Sequence, residues 1–170
     1  MSEIQLIAGA TPSTPATDVV TLYPKAADNR LYYKDENGLE HEVSPTRYAE
    51  LTITPLSATG TDKARLYIPA GLNSMNMVSI NASLNTQGRA GGPLMIQVTR
   101  RRSGAVVNML TTPVQIDANE DDSSTAAAAA VINTTYDDVT TGDLLVAHVV
   151  GMFTSQGQGA AILTLGLQRP

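Results

Sequence analysis

The chain predicts an all-β protein, an antiparallel β-sandwich preceded by a small β-meander and an extended arm. Three observations carry this. From residue 61 onward, short apolar or alternating runs recur between clusters of Gly, Pro, Asn, Asp and Ser, the spacing of an antiparallel sandwich or barrel. No long segment sustains the 3.6-residue apolar stripe of a helix. Near the N-terminus an Asn37-Gly38 pair sits between two strand-like runs, a strong short-range hairpin signal.

Residues 1–17 form the predicted arm. Ile4, Leu6 and Ile7 give it a short apolar patch, and Pro12 and Pro15 deny it a regular helix. It is either flexible or an arm that orders against a partner. Residues 18–50 form the meander and a connector: a run at 18–23 (DVVTLY), a turn at 25–29 (KAADN), a run at 30–34 (RLYYK), a type I′ turn at Asn37-Gly38 and an alternating run at 39–43 (LEHEV). Neighbouring side chains of a strand point to opposite faces, so Tyr32 and Tyr33 serve two faces, one inward and one outward. A unit this small is marginal alone, so its outward tyrosine is expected to meet the next domain or another copy of the chain.

Residues 51–170 form the sandwich. The first strand is LTITPL at 51–56, which Pro55 assigns to an edge or a strand end. Further strands are expected at 64–68, 75–84, 93–101, 105–116, 128–133, 143–150 and 160–167. The breakers between them are PAGLN, NTQGRAGG, RRSG, DANEDDSS, TTYDDVTTG and SQGQG. About eight strands suit a jelly roll. The alanine run 126–130 has helix propensity, but its place between an acidic turn and VIN favours a turn or strand start equally.

Composition narrows the function. Net charge is −5 with a sequence pI near 4.8, which opposes a general nucleic-acid or anionic-membrane binder. The chain has no cysteine, which removes disulfides, zinc–thiolate sites and thiol catalysis. No basic, apolar leader of the secretory type is visible, and a cytosolic site of synthesis is expected.

Catalytic patterns are weak. The two histidines, His41 and His148, both lie within predicted strands, and no G-x-S-x-G is present. The run from Asp117 to Asp122 starts like a calcium loop, but the sixth and twelfth positions hold Asp122 and Ala128 where Gly and Glu are required. A looser calcium site on Asp117, Asn119 and Asp121 competes with a solvated acidic turn. Arg100, Arg101 and Arg102 form the one basic run; it suits a phosphate, an acidic partner, a neighbouring subunit or a solvated hairpin end. No cofactor, metal ligand set or catalytic residue is assigned.

Two stretches resemble tailed-bacteriophage virion proteins. TPSTPATDVVTLYPKAADNRLYYKDENGLEHEV is similar to a segment with a Thr/Pro-rich lead, V-x-L-Y-x-K and a D-x-x-L-Y-Y-K-D-x-x-G hairpin, here Val20, Leu22, Tyr23, Lys25, Asp28, Leu31, Tyr32, Tyr33, Lys34, Asp35 and Gly38. Ile116, Asp117, Glu120, the segment 123–126, Val131, Ile132 and the segment 141–143 resemble a jelly-roll-like module of capsid-decoration, head-fibre and tail-fibre proteins. The resemblance implies a non-enzymatic virion protein made in the host cytoplasm. Its foremost form is a trimeric capsid decoration (cement) protein that binds the major capsid protein at the head surface, without nucleic acid or membrane. A tail-fibre or baseplate component and a glycan-binding attachment module are the alternatives. Ile4, Leu6, Ile7, Tyr32, Tyr33, Arg100, Arg101 and Arg102 are the candidate capsid or subunit contacts.

Overall fold

The computed structural model describes residues 11–17, 21–25, 30–43, 46–154 and 159–170. It is all-β and divides into two compact units, residues 1–45 and 46–170. The boundary falls earlier than the expected 50/51. The reason is that the first half of the next strand, from Arg47, already pairs with the C-terminal strand of the sandwich, Arg47 opposite Leu167 and Glu50 opposite Thr164.

The N-terminal unit is the predicted three-stranded meander: β1 (Thr21–Lys25), β2 (Arg30–Lys34) and β3 (Glu40–Glu42), antiparallel in that order. The first run therefore extends through Lys25; residues 18–20 and the rest of the KAADN turn lie outside the described residues. The β2–β3 hairpin forms where Asn37-Gly38 predicts one, but its turn differs. Gly38 N–H donates to the Asp35 carbonyl (2.9 Å), and Gly38 alone takes a left-handed φ, +80°. This is a type I turn over Glu36-Asn37 closed by a glycine bulge, the three-residue alternative to type I′. Asp35 selects it: its carboxylate accepts the N–H groups of Asn37 (3.0 Å) and Leu39 (2.9 Å), which ties down the longer loop.

The C-terminal unit is a β-sandwich. One sheet has the order β12-β6-β14-β4, from β4 (Arg47–Leu56), β6 (Met75–Leu84), β12 (Asp138–Val139) and β14 (Gly159–Gln168). The other has the order β10-β7-β13-β5, from β5 (Gly60–Tyr67), β7 (Leu94–Arg102), β10 (Val114–Ile116) and β13 (Leu144–Gly151). All pairings are antiparallel. Pro55 lies on β4, an edge strand, where its missing N–H costs no ladder bond. The short β8 (Ala105–Asn108) returns along β7 through a tight turn with Ser103 and Gly104 at φ +48° and +87°. That is the type I′ geometry.

Alternation explains the core, with one change of phase in β6 between Met77 and Ile80, where the register against β14 shifts. Leu51 and Ile53 of β4, Met75, Met77, Ile80 and Ala82 of β6, and Leu163, Leu165 and Leu167 of β14 face Leu94, Ile96 and Val98 of β7, Val114 and Ile116 of β10, and Leu145, Ala147 and Val149 of β13 in one buried cluster. The strand expected over 105–116 is cut in three. Pro113 has no N–H to donate, and the chain changes partner there: β9 (Leu110–Thr112) pairs with β11 (Val131–Ile132), and β10 rejoins β7. The alanine run forms no helix, and only Val131–Ile132 of the strand expected over 128–133 is paired.

Candidate interaction surfaces

The predicted contact residues separate into three groups. Ile4, Leu6 and Ile7 lie outside the described residues. Tyr32 and Tyr33 occupy opposite faces of the meander, as strand alternation requires.

The Tyr32 face is covered. Tyr32 pairs across the sheet with buried Tyr23, ring centroids 6.2 Å apart. Lys25 lies over the Tyr32 ring, 4.9 Å from its centroid, and pairs with Glu40 at 2.6 Å. The Glu40 carboxyl is held below its usual pKa, chiefly by that ammonium. Residues 11–17 run over the same unit: Lys34 Nζ donates to the Pro12 carbonyl (3.0 Å), and a side chain at Gly38 would sit 3.0 Å from the Thr14 hydroxyl. This part of the arm therefore belongs to the folded meander.

The Tyr33 face is open. Tyr33 stacks on His41, its cross-strand partner, with centroids 4.6 Å apart and planes 16° from parallel. His41 Nε2 reaches the Asp35 carboxylate at 3.0 Å. Leu22, the other cross-strand neighbour of Tyr33, is half exposed. Leu39 is 59% exposed and Val43 43%. A ring stacked among open aliphatic side chains, on a unit with almost no core among the described residues, is an apolar face that no described residue of the unit covers.

Arg100, Arg101 and Arg102 do not form one basic patch. Period-two alternation puts Arg100 and Arg102 on the core face with Leu94, Ile96 and Val98, and Arg101 on the outer face. Arg100 is 7% exposed and is bound by the Asp138 side chain and carbonyl. Arg102 joins Asp138 (2.8 Å) to Asp143, donating to both Asp143 oxygens at 2.8 and 2.7 Å. Asp143 is 1% exposed and also accepts the Thr140 N–H at 2.8 Å. Burial pushes the Asp143 carboxyl up, but Arg102 and the Thr140 N–H more than offset it, and its pKa lies below the ordinary value. Two of the three arginines thus close one end of the core, Arg100 buried there and Arg102 about one-third exposed. Arg101 is exposed, in a cross-strand row with Tyr67, Leu144 and Val106.

The acidic run does not gather into a cation site. Asp117 accepts Gln115 Nε2 (2.6 Å) and the Ala127 N–H (2.7 Å), which closes its loop. The Asp121 carbonyl accepts the Leu84 N–H, and Asp122 bridges Ser83, so this segment is stitched to the edge of β6. Among the described residues no three His, Asp or Glu side chains converge as metal ligands. A shallow polar groove beside this segment is walled by Asn81, Ser83, Asp122, Ser123, Ser124 and Thr164.

One polar constellation was missed by sequence reasoning. His148, on the outer face of β13, lies 2.8 Å from Thr99 Oγ1 through Nε2 and accepts the Asp62 N–H on Nδ1 at 3.1 Å. The neutral ring therefore carries its proton on Nε2 and donates to Thr99. It cannot take the Thr99 proton, so the pair lacks the polarity of a nucleophile and its base. No protein-family model and no curated protein matches the chain.

Proposed function

We propose that the chain is a non-enzymatic virion structural protein of a tailed bacteriophage, a capsid decoration protein that docks on the major capsid protein of the head as a trimer. The observation that carries the reading is the meander with one face covered by residues 11–17 and the other, among the described residues, apolar and open. A unit with so little core gains its stability where that open face is buried. The sandwich is a robust platform in its own right, and three copies multiply a weak contact by avidity when their spacing matches the lattice.

The strand order supports the finer reading of the sandwich as a jelly roll. Counting β4, β5, β6, β7, β10, β12, β13 and β14 as one to eight, the sheets run 1-8-3-6 and 2-7-4-5. This is the order of two interlocked Greek keys.

The test adds purified protein to undecorated heads and follows co-sedimentation. The wild-type chain is expected to pellet with heads, and the double variant L39D/V43D to lose binding by at least about tenfold, the scale of two apolar contacts at an interface. Equal binding by the variant would remove the open face as the docking surface. Binding to tails in place of heads would favour the tail-fibre or baseplate alternative.

A further inference from the structure

The bulge in β5 is closed by a histidine side chain in place of a backbone carbonyl. Along β5 and β13 the ladder runs Leu66–Leu145, Arg65–Val146 and Ala64–Ala147, then resumes at Gly60–Val149. Three residues, Thr61 to Lys63, thus stand opposite one, His148. Asp62 sits at the middle of this bulge with φ +61°, a left-handed conformation uncommon outside glycine but one that Asp tolerates. Its N–H points at His148 Nδ1 instead of a strand carbonyl. β5 is the edge strand of its sheet, so no further strand supports the bulge from outside.

We propose that His148 is an acid-sensitive latch that holds the β5 edge closed while its ring is neutral and releases the Thr61–Lys63 bulge when the ring takes a second proton. The chemistry is a conflict of donors. Nδ1 can accept the Asp62 N–H only through its lone pair; once protonated it presents N–H to N–H. Thr99 Oγ1 keeps Nε2 in place on β7. Two charged groups act on the ring. Asp62 favours the imidazolium, but its carboxylate is already engaged by Arg65 of the same strand. Arg101 of β7 opposes it. Burial, the largest influence, also opposes it, so the His148 pKa lies below that of a free imidazole. The sign follows. A base whose folded pKa is depressed stabilises the fold fully above the unfolded value, about 6.5, and loses that contribution as the pH falls through the folded one. Release uncovers backbone donors and acceptors at a sheet edge, where another strand can pair. The latch is independent of the meander and of the docking proposed for it.

The experiment is amide hydrogen exchange of the full chain between pH 7.5 and 4.5, read at Asp62 as protection relative to the intrinsic rate, with NMR titration of the two imidazoles. The Asp62 amide is expected to lose protection about tenfold per pH unit below the His148 pKa, the slope of one proton, while amides at the centre of β7 and β13 stay protected. In H148N the side-chain oxygen replaces Nδ1 as acceptor, and the Asp62 amide is expected to keep its protection across the range. pH-independent protection in the wild type overturns the latch. So does an equal acid loss in H148N, which would assign the opening to the carboxylates. Folding of each variant is verified by the protection of β14.

Discussion

Replacing Asp143 by Asn tests the ionic closure of the core most sharply. The substitution keeps size, removes the charge and turns one of two acceptor oxygens into an NH2 group that faces N–H donors. Asp143 is almost fully buried and accepts Nε and Nη2 of the Arg102 guanidinium, while Nη1 goes to Asp138. Breaking a fully buried pair by removing one partner costs roughly 3–5 kcal/mol, because the remaining charge is stranded. Arg102 is about one-third exposed and keeps Asp138 as a second partner, so solvent screening lowers the expectation to about 2–3 kcal/mol. With a urea slope of about 2 kcal/mol per M, the midpoint moves down by about 1–1.5 M at fixed protein concentration. pH provides a second reading. The Asp138 and Asp143 carboxyls are both held below their ordinary values, burial working against the arginines and losing. Such groups stabilise the fold above the unfolded carboxyl pKa, about 3.9, and the contribution fades as the pH falls through the folded values. The wild type is therefore expected to lose stability steeply below about pH 4, and D143N to show a shallower acid limb. A midpoint within about 0.3 M of wild type, with an unchanged acid limb, would refute the closure argument.

Other predictions follow from single sites. Gly88→Ala drives a Cβ into the Phe153 ring, which is buried, so Phe153 must move; a loss of about 1–3 kcal/mol is expected in urea unfolding, and an unchanged midpoint would contradict this packing. Deleting residues 1–17 removes the Pro12 carbonyl from Lys34 and the cover beside Tyr23; amide protection over β1–β3 is expected to fall, and unchanged protection would contradict the cover. Gly104→Ala strains the φ +87° turn between β7 and β8 by about 1 kcal/mol with no steric clash, so a stability change without altered spectra is expected.

Much of the sandwich was legible because its strands obey one rule. Leu94, Ile96 and Val98 alternate with Met95, Gln97 and Thr99, and the same rule carried two positions further separates Arg101 from Arg100 and Arg102. The arginine triplet was thus readable as split, but its composition drew attention as a unit. Its partners were not readable: Asp138 and Asp143 lie about 40 positions away, inside TTYDDVTTGD, which reads as a loop. The hairpin at Asn37-Gly38 was legible and its turn type was not, since the choice rests on Asp35 capturing two N–H groups. The cut at Pro113 follows from proline chemistry once partners are known, but partner exchange leaves no local mark. His148 and Asp62 are 86 positions apart, and a bulge has no reliable sequence signature on an edge strand. In the meander, alternation predicted that one tyrosine faces outward; which one depended on where residues 11–17 lie.

The central claim is that this chain decorates a phage head. The most direct measurement is antibody-gold labelling of purified virions of a tailed phage whose genome carries this sequence, with the native mass of the free protein determined alongside. Gold distributed over the head and a trimeric mass are the predicted result. Gold confined to the tail, or virions that carry no label, would contradict the account.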